Sequence, residues 1–389
     1  MRVPLDWLRE LCPIELAPEA LAERLTMHGV QVERILRPWA GVTGVVVARV
    51  LDVRDHPAAD KLCVTTIESG AGEHTVVAGV RNMAPGDLVP WARPGATLPG
   101  MEGTLERRSL RGVQSDGMLC SPRELAISAD HGGILVLPPG LDPGRDVTEA
   151  LRLDVPVLEI EVHPNRADLL SVLGVARETA MATGSDLFPP DASVDEGDAK
   201  AADAATVAVV DRRGCPRYVA RIVAGVGVGP APLAVQVRLT AAGMRPVSNV
   251  VDATNYAMLE LGHPMHPFDL SRLAGRGIVV RRASDGERMV TLDGVERTFT
   301  DADVLIADAE RAVGVAGVMG SAAAEVGEST TEVLVEAAYF DPATIYRTAR
   351  RLGIRTEASI RFVRGADPEA PAAGAARAAR LMAAWSGGT

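Results

Sequence analysis

Hydrophobic residues near the start of the chain recur with a helical period. Leu21, Ala22 and Leu25 fall on one face, Pro18 stands at the first turn and Gly29 follows as a stop. Residues 1–40 are therefore expected to form a small helical unit. From Val42 the period shortens. The runs Val45–Val53, Val76–Val80, Leu88–Trp91 and Ile134–Leu137 are β-rich and separated by Pro85-Gly86, Pro94-Gly95 and Pro99-Gly100. Short strands at that spacing, without long helices between them, predict a compact barrel of the OB type over residues 41–150. Helical spacing returns in Asn165–Gly184, where Leu169, Leu170, Leu173, Ala176 and Ala180 share a face and Gly184 is the stop. This returning segment, 151–187, is expected to pack with residues 1–40.

Phe188–Thr206 is polar, Ala-rich and opened by prolines, and predicts a linker over 188–206. Residues 207–389 then read as one mixed domain. Strands are expected at Val207–Val210, Tyr218–Val223, Ile278–Arg282, Val304–Ala307 and Val333–Ala337. Helices are expected at Leu233–Ala242, Pro342–Leu352 and over the Ala-rich tail from Pro368 to Trp385. The predicted fold class is α+β and multidomain: an OB-type barrel inserted after a small helical unit, then a mixed α/β domain.

Composition sharpens this picture. The 389 residues are 47% hydrophobic, enough for several cores, which excludes global disorder. Forty Lys and Arg against 51 Asp and Glu leave a net charge of −11, and only 3% of residues are aromatic. A surface devoted throughout to nucleic acid is excluded, whereas one local basic face is not. The cysteines Cys12, Cys63, Cys120 and Cys215 lack C-x-x-C spacing and are expected to be small buried hydrophobes. The start MRVPLDWLREL carries charges and no apolar run, so no signal peptide is expected, and no segment is long enough to cross a bilayer. The expected location is cytoplasmic.

No G-x-S-x-G, G-x-x-x-x-G-K, G-x-G-x-x-G or H-E-x-x-H motif is present, so covalent, nucleotide and zinc chemistry have no visible equipment and no cofactor is expected. Three segments remain dense in special residues. The first holds His56 and Lys61, then Arg107, Arg108 and Arg111, a positive cluster suited to phosphate on an OB face. A turn at His56-Pro57 with solvated arginines is the plain alternative. The second runs from Arg245 through Asn255 to His263, His266 and Asp269. Prolines fence both histidines, which predicts a rigid loop presenting imidazoles to substrate or water; an extended segment need not converge its donors on a metal. The third holds Met319, Gly320 and Ser321, then Glu336 in an apolar strand, then Thr356, Ala358 and an arginine-rich helix with Arg347, Arg350 and Arg351. A carboxylate among apolar residues is costly unless it is paired with an arginine or kept for a ligand.

Taken in order, these motifs resemble the N-terminal half of the bacterial phenylalanyl-tRNA synthetase β subunit. HPAADKL and LRGVQSDGMLCS match its OB-type tRNA-binding domain. RPVSNVVDATNYAMLELGHPMHPFD, AGVMG, EAAYFDP and RTEASIRFVRGADP match its editing domain. The resemblance covers essentially the whole chain. It implies tRNA as partner, with a synthetase α subunit as a further one, and hydrolysis of tRNA(Phe) mischarged with tyrosine. It implies that Glu336 accepts the tyrosine hydroxyl, that Gly320, Met319, Ala358 and Asn255 line the amino-acid pocket, and that Arg245, His266 and Thr356 lie near the ester. Lys61, His56, Arg107, Arg108, Arg111, Arg347 and Arg351 are the residues expected to touch tRNA. The chain departs from the family at Pro267, Ser321, Ile360 and Val363. No synthetase core motif precedes Thr389, so a piece of a β subunit or a free-standing paralogue that forms no aminoacyl-adenylate alone is expected. A tRNA-binding scaffold without catalysis, or a transferase passing the acyl group to an amine, are the alternatives.

Overall fold

A computed structural model describes all 389 residues. They form two compact units, one of Met1–Arg34, Leu158–Val235 and Pro246–Thr389, the other of Ile35–Val157 with Gln236–Arg245. The architecture is mixed α+β and multidomain.

The second unit is built on a five-stranded antiparallel sheet in the order Glu73–Ala78, Cys63–Glu68, Thr43–Asp55, Leu88–Thr97, Met118–Leu119. The 13-residue strand Thr43–Asp55 serves two partners: its first half pairs with Leu88–Thr97 and its second with Cys63–Glu68. Register shifts between Thr43 and Val45 and between Val50 and Asp52 bend it, as an extra residue in one strand does. Val46, Ala48, Val50, Val76, Ala78 and Trp91 alternate inward to fill the barrel. Two expectations change here. Ile134–Leu137 is an irregular extended segment, tied by Leu135 N to Cys120 O and by Leu137 N to Leu88 O, and the prolines after it end the pairing. Cys63–Glu68, unexpected from the pattern, is a strand.

Residues 1–40 are not purely helical. Arg2–Pro4 and Val32–Leu36 flank Val157–Ile160 in a three-stranded sheet, around the helices Leu5–Leu11 and Pro18–Met27. The helix expected over Asn165–Gly184 breaks at Ser171. A 3₁₀ turn, Ala167–Leu170, precedes it, and the Ser171 hydroxyl accepts from Gly174 N at 2.9 Å to start a new helix, Val172–Thr183. Gly184 ends that helix in the left-handed region, as expected. The segment 188–205 is irregular apart from the one-turn helix Ala201–Ala204, and Thr206 opens a strand.

Two sheets enclose the main core of the first unit. One has the order Thr206–Val209, Gly277–Arg282, Val304–Ala307, Ala312–Val315, Met319–Gly320; the other has Glu332–Tyr339 between Arg217–Ala224 and Met265–Asp269. Phe268, Leu334 and Ala338 from the small sheet pack with Val280, Leu305, Val313 and Phe299. Its opposite face lies under the helices Asn249–Leu261 and Ala370–Ser386. The rigid loop expected at His263 and His266 is replaced by the edge strand Met265–Asp269, which follows a helix over Asn249–Leu261. Val250, Ala253 and Ala257, all fully buried, supply the helical period. Ser248 caps the helix, Gly262 ends it at φ 81°, and Pro267 is tolerated because Met265–Asp269 is an edge strand.

Candidate functional site

The site grows from register. Glu336 stands mid-strand, opposite Ala220 on one side and His266 on the other. Directly opposed residues share a sheet face, so all three point the same way. Ala220 leaves space beside the carboxylate, and Tyr218, one step along the same face, fills it. Its hydroxyl donates to Glu336 Oε2 at 2.9 Å. Glu336 is only 7% exposed, and burial pushes its carboxyl up to about 7 while the Tyr218 bond pulls it down. No arginine pairs with it. Its partner is a phenol.

His266 packs edge-on against Phe268, with ring centroids 4.5 Å apart, and against the backbone of Gly320. A Cβ at position 320 would lie 2.5 Å from His266 Cε1 and Nε2, so any side chain there would displace the imidazole. Burial lowers the His266 imidazole to about 4, which keeps it neutral at pH 7, and its buried Nε2 has no hydrogen-bond partner. Glu336, His266, Met319, Gly320 and Ala358 line one cavity of about 80 Å³, closed by Phe268, Val318 and Phe362. Gly317, at φ 64°, turns the chain there.

Thr356 holds this wall from behind. Its hydroxyl donates to Val318 O at 2.9 Å and accepts from Ser359 N at 3.1 Å, capping the helix Glu357–Arg364 that carries Ala358. Thr356 does not itself line the cavity. Neither do Asn255, half-buried on its helix, and Arg245, exposed in the preceding loop. Ser321 turns away: it is 2% exposed, and its hydroxyl donates to Val290 O at 3.0 Å and accepts from Ala323 N at 3.1 Å. Val363 packs on the core. His263 is not presented as expected. It is 1% exposed, packs edge-on against Phe362, and neither ring nitrogen has a partner. Asp269 is bound by Thr330 and Ser271 hydroxyls, each at 2.6 Å. Tyr218 is the site residue that sequence reasoning missed. The alternation Tyr218, Ala220, Ile222 put it on one face, but only strand pairing reveals that the face is Glu336's.

On the barrel unit the basic cluster is a hairpin. Arg108–Leu110 pairs with Val113–Ser115 across Arg111-Gly112, whose φ values of 50° and 89° make a two-residue turn of the primed type. Arg108 and Arg111 are exposed on it; Arg107, also exposed, pairs with Asp116 at 2.9 Å. Lys61 is exposed. His56 is not: at 6% exposure, its Nε2 sits 3.0 Å from Leu110 O and its Nδ1 accepts from Ala58 N, so its ring braces the hairpin's base. In the first unit Arg347 is exposed, whereas Arg351 is tied to the buried carboxylate of Asp303. All four cysteines are buried and unbridged, and burial pushes the Cys120 and Cys215 thiols up to about 12. No helix is long and apolar enough to cross a membrane.

Residues 45–146 match the family described as "Putative tRNA binding domain", and residues 214–387 match the family "B3/4 domain". A barrel of the first kind joined to a B3/4 domain defines the class. Over its whole length the chain is similar to phenylalanine–tRNA ligase beta subunits: 49% identical to that of Anaeromyxobacter dehalogenans over 390 residues, 47% to that of Moorella thermoacetica over 394, and 45% to that of Geobacter sulfurreducens over 389. The alignments take in 48%, 49% and 48% of those relatives, so the chain spans about half the length of the curated relatives it matches. With its putative tRNA binding domain and B3/4 domain, the chain is similar throughout to part of a phenylalanine–tRNA ligase beta subunit.

Proposed function

We propose that this chain binds tRNA and hydrolyses the ester of tRNA(Phe) mischarged with tyrosine. The observation that carries the reading is a buried carboxylate, Glu336, lining one cavity with His266, Met319, Gly320 and Ala358. A tyrosyl side chain brings a hydroxyl to Glu336. A phenylalanyl side chain brings none and leaves a buried polar group unpaired, so the correctly charged product is disfavoured. No nucleophile is required. Neutral His266, with Nε2 unpartnered, offers a hydrogen bond to water or to the terminal ribose, and the pocket fixes the ester's geometry. Thr356 acts here by holding the wall at Val318 rather than by touching the ester.

The exposed Arg108 and Arg111 of the barrel hairpin, together with Lys61, Arg107 and Arg347, would meet the tRNA backbone. A ligase α subunit is the protein partner and the cytoplasm the location that this reading implies. Transfer to an amine is the competing reading, and against it the Ser321 hydroxyl is already engaged with Val290 and Ala323. The test follows the release of labelled tyrosine from Tyr-tRNA(Phe) with and without a small amine. Free tyrosine in both reactions supports hydrolysis; a tyrosyl amide, formed only with amine present, would replace it with transfer.

A further inference from the structure

The sheet gives Glu336 a partner for which hydrolysis has no need. Tyr218 Oη lies 2.9 Å from Glu336 Oε2, and no hydrogen bond within the chain occupies Oε1. Ala220, directly opposite Glu336, is the small residue that lets the phenol reach across. On the other flank His266 is directed at Gly320 and makes no bond to the carboxylate. Only one protein group therefore fixes the carboxylate's rotamer, and it does so from the sheet side, leaving the cavity side open.

From this we infer that Tyr218 is a specificity-determining positioning residue: by binding Oε2 it aims Oε1 into the cavity as the single acceptor for a substrate hydroxyl. The inference rests on the proposed recognition of a tyrosyl group and says which atom performs it. Tyr218 is a donor throughout the working range, since burial beside Glu336 raises its phenol well above the ordinary value. Its bond is a charge-assisted one when Glu336 is ionised, and so is among the stronger kinds. Without it, a long side chain facing a cavity is free to explore other rotamers, and the acceptor is no longer held at one place. A phenylalanyl group makes no bond to Oε1, so its binding does not depend on Tyr218.

The experiment measures affinity rather than turnover. Tyrosyl and phenylalanyl groups are each linked to 3′-amino-3′-deoxyadenosine by an amide, which cannot be hydrolysed, and titrated into the full chain. Wild type, Y218F, E336Q and the double variant are compared, with matched thermal melts to confirm folding. The expected result is a tyrosyl preference that falls about tenfold in Y218F through weaker tyrosyl binding alone, with no further fall when Y218F is added to E336Q. A second variant, A220V, which crowds the phenol from its place while keeping its hydroxyl, should reduce the preference in the same way. Equal loss of affinity for both analogues in Y218F, an unchanged preference, or a wild type without preference would each overturn the inference. A wild type that binds selectively yet leaves Tyr-tRNA(Phe) intact would sink the editing reading and leave the role of Tyr218 standing.

Discussion

Replacing Glu336 by Gln should stabilise the protein above neutral pH and do little in acid. Folded Glu336 keeps its proton up to about pH 7, whereas the ordinary carboxyl loses it near 4.5. Between those values folding takes up a proton, so the wild type loses stability as pH rises through the window. A difference of about 2.5 pK units corresponds to about 3 kcal/mol, with each unit worth about 1.4 kcal/mol. Glutamine retains an oxygen for Tyr218 and never ionises. The gap between E336Q and wild type should therefore widen by about 3 kcal/mol between pH 4.5 and pH 8, in favour of the variant. For a unit of about 250 residues this is a melting-temperature gap that grows by about 6–12 °C. The assay is thermal unfolding of both proteins at closely spaced pH values. The buried histidines titrate alike in both chains and drop out of the difference. A gap that stays constant from pH 4.5 to 8 would refute the reasoning, because it would mean that the folded carboxyl titrates normally. The predicted gain is also the stability the native chain forgoes to keep an ionisable group in its pocket.

Other expectations follow from neighbouring residues. G320A places a methyl group 2.5 Å from the His266 ring and should cost about 1–3 kcal/mol and abolish deacylation, whereas G314A, whose Cβ meets nothing closer than 3.7 Å, should change melting little. Buried His263 is held neutral down to about pH 4, so stability is lost as pH falls from 6.5 toward 4; H263L should be less acid-sensitive than wild type by up to about 3 kcal/mol in melts at pH 4.5 against 7.5. Changing Arg107, Arg108 and Arg111 together to Gln should weaken tRNA binding and lower the salt slope by about 1 for each phosphate no longer neutralised, read by filter binding across a salt series. R351Q should instead lower the melting temperature, because it leaves Asp303, 1% exposed, without its ion-pair partner.

How far the sequence was legible depends on the distance over which each feature is decided. The strand Val304–Ala307 and the helix Pro342–Leu352 appear where the pattern put them, because apolar runs, a proline at the first turn and a closing glycine are local signals. The helix Asn249–Leu261 was hidden by its own polar residues: Asn249, Asp252, Thr254 and Glu260 are buried, which blurs the apolar stripe. His263 and His266 looked alike in sequence. In the fold a turn of chain buries the first beside Phe362, and strand register sets the second opposite Glu336. Glu336 itself stood out as a carboxylate in an apolar strand. Its partner Tyr218, 118 positions away, is set by pairing that no local pattern encodes. His56 shows the converse case, a polar residue beside a basic cluster whose ring bonds Leu110 and Ala58 within the fold.

The proposed editing function is tested most directly by the rates at which this chain deacylates Tyr-tRNA(Phe) and Phe-tRNA(Phe) side by side, as wild type and as E336A. Tyrosine release should run well above the spontaneous rate, with a strong preference over the phenylalanyl ester. In E336A that preference should fall by about 10- to 100-fold, the loss of one hydrogen bond to a charged group. Tyrosine release at the rate seen in buffer alone, or equal hydrolysis of both esters by the wild type, would contradict the proposal.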